Sequence, residues 1–144
     1  GGDVLCTSDN VIIGLSSRTT EEGAERLVKC LSNLGLSGTI TDTPHGVLHL
    51  KSDCSLLDEK TVFVTPRLAV SQVFKNYKKI ITPETEYAAA NAIRINSSVF
   101  VNKDCVKSIA LLKQSGFKTT ALPSTEIRKL DGGLSCMSLR WLNL

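Results

Sequence analysis

Three successive stretches of this 144-residue chain run through one series of elements: a short strand, a polar turn, an apolar strand, a helix and a returning strand. In the first, spanning about 1–45, Asp3–Thr7 turns at Ser8-Asp9-Asn10 into Val11–Leu15. Thr19 and Glu22 stand at capping-box spacing. Ala24, Leu27, Val28, Leu31 and Leu34 recur at helical spacing, Gly35 stands where a helix-ending glycine belongs, and Gly38–Thr41 returns as strand. The second, about 46–85, reads Cys54–Leu57, a turn at Asp58-Glu59-Lys60, and Thr61–Val64. Thr65-Pro66 then opens a helix predicted to carry Val70, Val73, Phe74 and Tyr77 on one face, before Lys79–Thr82 returns. The third, about 86–125, pairs Ala92–Ile95 with Val99–Val101, continues as a helix over Val106–Gln114 ending at Gly116, and closes with Phe117–Leu122.

A unit of this size cannot bury both faces of its own sheet, so neighbouring units must stack, as repeat architectures do. The expected class is α/β, a pseudo-symmetric ring of small ββαβ blades making one domain over 1–144. A fourth, partial unit at about 126–144 is predicted to begin with a strand over Leu134–Trp141 that has no hairpin partner in the sequence. An N-terminal half of the same protein, or another chain, is expected to pack against that strand and cover Trp141, Leu142 and Leu144.

Apolar and charged shares of 42% and 22% suit a globular domain with a buried core. The net charge of +3 is scattered, Lys75, Lys78 and Lys79 read as the solvated end of a helix and its following turn, and seven aromatic residues are few for stacking on bases, so nucleic acid is not expected as a partner. No apolar run approaches the roughly 20 residues that span a bilayer, so no membrane association is expected. Five cysteines, an odd number with no C-x-x-C pair, argue against a disulfide framework or zinc module and for a reducing, cytoplasmic setting. No metal or cofactor is expected.

The repeat register puts four short motifs at equivalent points of their units: Gly1-Gly2-Asp3, His49-Leu50-Lys51-Ser52, Ala90-Asn91-Ala92 and Gly132-Gly133-Leu134-Ser135-Cys136. Units related by rotation bring such points toward one axis, where a cysteine, a histidine and an acid can meet from distant parts of a chain. A thiol is an effective nucleophile near neutral pH when its surroundings favour the thiolate, and a following hydrolysis needs a base. On residue type alone the bland readings stand beside this one: Cys136 as strand packing, His49 as a satisfied core histidine, Asp131-Gly132-Gly133 as a plain turn, and His45 as a solvated loop residue.

The order of the motifs is more specific. Gly1-Gly2-Asp3-Val4-Leu5, Gly14-Leu15-Ser16-Ser17-Arg18-Thr19, Gly23-Ala24-Glu25, His49-Leu50-Lys51-Ser52 with Cys54-Ser55, Ala89-Ala90-Asn91, and Lys129-Leu130-Asp131-Gly132-Gly133-Leu134-Ser135-Cys136 follow one another along almost the whole chain. In this the sequence resembles the dimethylarginine dimethylaminohydrolase family, in its C-terminal half. The resemblance implies a five-bladed α/β propeller, or pentein, shared with arginine deiminases and amidinotransferases, of which this chain holds about three units and a first strand.

It further implies that Cys136 attacks the guanidinium carbon and that His49 protonates the leaving amine and then activates water, giving citrulline and a methylamine through a thiouronium intermediate. Arg18 matches the residue that binds the substrate carboxylate, a task suited to a planar fork of donors. Leu130 matches a backbone contact to substrate, Asp131 an acid near the guanidinium, and Asp3 is expected in a supporting or structural role. Deiminases and amidinotransferases typically carry an aspartate two residues after the histidine; Lys51 stands there, favouring methylated arginine over free arginine or agmatine. The family's carboxylate immediately before Gly-Gly-Asp precedes Gly1, so an N-terminal half is expected to complete the guanidine site, and the chain alone to be inactive. A deiminase of the same superfamily and a non-catalytic fragment are the alternatives. Cys136, His49 and Arg18 are expected around one cavity.

Overall fold

Each repeat builds a three-stranded sheet of its own. In the computed structural model, which describes residues 1–139, β1 (Val4–Cys6) pairs antiparallel with β2 (Val11–Leu15), and β3 (Gly38–Asp42) returns parallel to β2 after helix α1 (Glu21–Asn33). The second unit repeats this with β4 (Cys54–Leu56), β5 (Thr61–Val64), helix α2 (Pro66–Ala69) and β6 (Lys78–Ile81). The third does so with β7 (Ile93–Ile95), β8 (Ser98–Asn102), helix α3 (Val106–Gln114) and β9 (Lys118–Leu122). A tight turn suffices for each antiparallel pair, whereas each parallel pair needs the helical crossover. Gly35 and Gly116, with φ of 73° and 89°, end α1 and α3 as their positions predicted.

The central strands explain why the units must stack. On β5, Val62 and Val64 enter a cluster with Leu5, Ile12, Leu68 and Phe74, joining units one and two. Phe63, on the opposite face, enters a second cluster with Ile80, Val99, Val101 and Leu112, joining units two and three. One strand thus spends alternate side chains on two neighbours.

Three local expectations differ from the structure. The N-cap of α1 is Thr20, whose hydroxyl accepts from Gly23 N–H, and not Thr19, whose hydroxyl is engaged by Asp3. The helix of unit two stops after Ala69 and resumes as a 3-10 turn over Gln72–Phe74, leaving Val70 79% exposed. Side chains take both halves of the hydrogen bond that would have carried it on: Lys79 Nζ donates to the Ala69 carbonyl at 2.7 Å, and Ser71 Oγ accepts from Val73 N–H. The strand predicted from Leu134 is also replaced, for residues 134–137 form a turn beyond helix α4 (Thr125–Arg128). Cys136 N–H donates to the Gly133 carbonyl at 3.1 Å and Ser138 N–H to that of Ser135 at 3.2 Å, so these amides bond within the turn and not across a ladder. The remainder of that predicted strand, Arg140 and Trp141, and the apolar Leu142 and Leu144 lie outside the described residues.

Candidate active site

His49 enters a 3-10 turn, Leu50–Ser52, in extended conformation. That turn is anchored from several sides. The side chain of Leu50 is fully buried in the cluster between units one and two. Its N–H donates to Asp3 Oδ1 at 2.8 Å, and Lys51 N–H donates to the Gly2 carbonyl at 2.9 Å. Ser52 N–H and Asp53 N–H close the turn on the carbonyls of His49 and Leu50. Asp53, buried, accepts from the Thr65 hydroxyl and from the Arg67 guanidinium, whose carbon lies 5.1 Å from the centre of the Tyr87 ring. Gly2 meets the imidazole itself: a Cβ there would lie 2.6 Å from His49 Cγ.

Asp3 joins this turn to the segment bearing Arg18. Its carboxylate is 3% exposed, and its Oδ2 accepts from the Ser16 and Thr19 hydroxyls at 2.8 and 2.7 Å. Those two residues form an antiparallel bridge, and Arg18, exposed between them, donates its N–H to Ser16 Oγ. One buried carboxylate therefore fixes both the histidine turn and the arginine turn.

Cys136 lies exposed in its own turn. Asn91, just before β7, reaches it from the third unit. Asn91 Oδ1 accepts from Ser135 N–H at 3.0 Å and from the Ser135 hydroxyl at 2.7 Å, while Nδ2 stands 3.5 Å from the Cys136 sulfur. Upstream, α4 gives way to Leu130, 85% exposed, and Asp131, with φ of 56°. A left-handed aspartate is tolerated where its neighbours hold it, and here Gly132 N–H bonds back to the Ile127 carbonyl at 2.9 Å.

The segments flanking the histidine and the cysteine share two clefts. A small one is lined by Leu48 and Ser52 on one side and by Asn91, Asp131 and Gly133 on the other. A larger one is lined by Lys51, Ser135 and Ser138. His49, Cys136 and Arg18 themselves line neither of these two clefts, and Arg18 is linked to the histidine turn through Asp3.

The remaining thiols are differently placed. Burial pushes the Cys54 thiol up, with the Asp53 charge adding to it, and burial also raises Cys105; both are therefore poor nucleophiles. Cys6 and Cys30 are exposed. Among the described residues, no three of His, Cys, Asp and Glu gather as metal ligands would, and no helix is long and apolar enough to cross a membrane. The role of Asn91 was missed from sequence, although the repeat register had put Ala90-Asn91-Ala92 at the same point of its unit as the histidine and cysteine motifs.

Residues 1–93 match the family model described as arginine deiminase. Over 140 residues the chain is 33% identical to the N(G),N(G)-dimethylarginine dimethylaminohydrolase of Pseudomonas aeruginosa, covering 97% of this chain and 55% of that protein. The solved structure of that enzyme, as a cysteine-to-serine mutant complexed with citrulline, superposes with a TM-score of 0.92 at 32% identity, over 97% of this chain and 55% of the other. The inosamine-phosphate amidinotransferase of Streptomyces griseus shares the fold, with a TM-score of 0.76 at 20% identity over 94% of this chain and 44% of that one. The chain thus spans about half the length of the relatives it matches.

Proposed function

We propose, from the premise that this chain belongs to the arginine deiminase family, that it supplies the nucleophile and the acid/base of an enzyme hydrolysing Nω-methylated arginine to citrulline and a methylamine. The observation that carries this reading is the shared clefts: two turns 87 residues apart in sequence, one ending in an exposed cysteine and the other beginning with a histidine, face common space. The dimethylaminohydrolase likeness along 97% of the chain supports the choice of chemistry.

In this reading the Cys136 thiolate adds to the guanidinium carbon. The C–N bond to the methylated nitrogen breaks as His49 gives that nitrogen a proton, leaving a thiouronium on sulfur. His49, now neutral, takes a proton from water, which adds to the same carbon; the C–S bond then breaks and releases citrulline and the thiolate. Arg18 binds the substrate carboxylate by its fork of donors. Leu130 offers its backbone to the substrate, and Asp131 faces the guanidinium charge. Asp3 acts through the turns it holds. Lys51, unlike an aspartate, cannot grip a cationic guanidinium, and this favours a methylated substrate over free arginine. An N-terminal half, or a partner chain, supplies the further acids of the guanidine site.

The test joins this chain to the N-terminal half of its gene and measures citrulline released from dimethylarginine and from arginine. Release from dimethylarginine, lost in Cys136→Ser and in His49→Ala, is expected. Faster release from arginine would establish the deiminase reading instead. Labelling by a haloacetamidine that spreads evenly over Cys6, Cys30 and Cys136 would point to a non-catalytic fragment.

A further inference from the structure

We propose that Asn91 is a positioning residue for the nucleophile, turning its carboxamide so that the amide N–H donates to the Cys136 sulfur and favours the thiolate. This rests on the reading of Cys136 as the nucleophile.

The orientation of the carboxamide follows from its partners. A backbone N–H can only donate, so the Asn91 atom 3.0 Å from Ser135 N is the oxygen. The Ser135 hydroxyl donates to the same oxygen at 2.7 Å. The other end of the amide is therefore the NH2 group, and it is this end that stands 3.5 Å from Sγ. Asn91 is 9% exposed, so the contact is partly shielded from water.

Room for this arrangement comes from Gly133. A Cβ at that position would lie 2.3 Å from Asn91 Nδ2, so the carboxamide occupies space that any larger residue there would claim. The Gly133 carbonyl also accepts from Cys136 N–H, which closes the turn around the same side chain.

The chemical consequence depends on the state of the sulfur. A thiol accepts hydrogen bonds weakly, whereas a thiolate is an anion whose hydrogen bonds are charge-assisted. A donor fixed at the sulfur thus stabilises the anion more than the neutral form, lowering the pH at which the nucleophile is available. A carboxamide stays neutral across the working pH range, so the donor is present throughout the catalytic cycle, while the histidine must change its protonation between the two steps. The two groups divide the work: Asn91 favours the charge on sulfur, and His49 moves protons.

A structural role for Asn91 would use only its oxygen, and two variants are read together: Asn91→Asp removes the donor but sets a negative charge beside the sulfur, which alone moves the thiol toward alkaline pH, whereas Gly133→Ala displaces the carboxamide without adding charge. The aspartate keeps an oxygen for Ser135 and replaces the NH2 group by a second oxygen facing the sulfur. The measurement is the rate of Cys136 alkylation by iodoacetamide between pH 5 and 10, followed by mass spectrometry of the peptide that contains it, in the chain carrying the N-terminal half. Asn91→Asp is expected to move the pH profile of Cys136 toward alkaline pH by at least about one unit, equivalent to about a tenfold slower reaction near neutral pH, while the alkaline plateau stays within about twofold of the wild type. Ser135→Ala, which keeps the donor, is expected to change the neutral-pH rate by less than about threefold. A superimposable Asn91→Asp profile, or equal losses in Asn91→Asp and Ser135→Ala, would overturn the proposal.

Gly133→Ala is the deciding variant, since its methyl group displaces the carboxamide and leaves no new charge at the sulfur. The same alkaline movement is expected, and an unchanged profile overturns the proposal. Alkylation needs no guanidine substrate, so the outcomes separate. An alkaline shift without citrulline release from dimethylarginine sinks the proposed function alone, whereas citrulline release without the shift sinks the role of Asn91 alone.

Discussion

The turn that carries His49 and the turn that carries Cys136 are built in opposite ways. The first is held by a buried leucine, a buried carboxylate from another unit, a second carboxylate of its own clamped by Arg67 and Thr65, and close contact with Gly2. The second carries an exposed cysteine, closes on its own carbonyls, and among the described residues is hydrogen-bonded to the third unit through Asn91, which packs against Gly133. The difference fits the two tasks proposed for them. A proton-transferring group must keep its geometry through two steps, which rewards a rigid setting. A nucleophile that becomes bonded to its substrate and is then released must follow the carbon it attacks, which rewards a lightly tethered one.

Removing Asp3 is the strongest way to break that contrast. Asp3→Ala leaves the buried Leu50 N–H and two hydroxyls without their acceptor and is expected to destabilise the chain by about 2–4 kcal/mol. Ser135→Ala, at the other turn, should cost no more than about 1 kcal/mol. Urea denaturation of the two variants checks the ordering, and similar losses would show that the two turns are equally anchored.

Gly2→Ala acts on geometry rather than on anchoring. Its methyl group collides with the imidazole, so citrulline release in the proposed reaction should fall by about 10–100-fold while stability changes little. A stability loss matching that of Asp3→Ala, with activity retained, would mean that the glycine serves packing and not the ring.

The smallest effect is expected at Glu86, outside both turns. Burial alone would raise its carboxyl, but hydrogen bonds from Ser108 and Lys107, at the start of α3, outweigh this and hold it below the usual glutamate range. Its contribution to stability is therefore present above the unfolded value of about 4.3 and is lost as pH falls through the lower, folded value. Glu86→Gln should flatten the acid side of the stability profile without altering the alkylation of Cys136. A change in that alkylation would show that α3 and the cysteine turn are coupled.

How much of this was legible from sequence depended on the range of the forces involved. The strand and helix order of each unit followed from apolar spacing and turn residues because those act within a few positions, and β1 through β9 lie within one or two residues of where they were expected. The broken helix at Val70 was not legible, since Lys79 and Ser71 cap it through side-chain contacts that no periodicity reports. Thr19 and Thr20 are adjacent hydroxyls, and which one caps depended on Asp3 claiming the other. The turn at Leu134–Met137 was hidden for a similar reason: its residues suit a strand, and the asparagine that captures the Ser135 N–H lies 44 positions away. The candidate site residues were found through the order of motifs, and their supporting contacts only through three-dimensional proximity.

The carboxylate of Asp3 has one more consequence, visible in the exchange of amide hydrogens. Within each sheet, paired strands are close in sequence, so those amides report the opening of a single unit. The Leu50 amide is bound across 47 positions, to a side chain of the preceding unit. Its hydrogen can exchange only when the first unit separates from the second or when Asp3 lets go, while the Ser135 amide, bound to Asn91 across 44 positions, exchanges when the cysteine turn parts from the third unit. Leu50 protection is thus a clock for the parting of two blades, and its ratio to the protection of Ser135 measures how much sooner the cysteine end of the molecule opens than the histidine end.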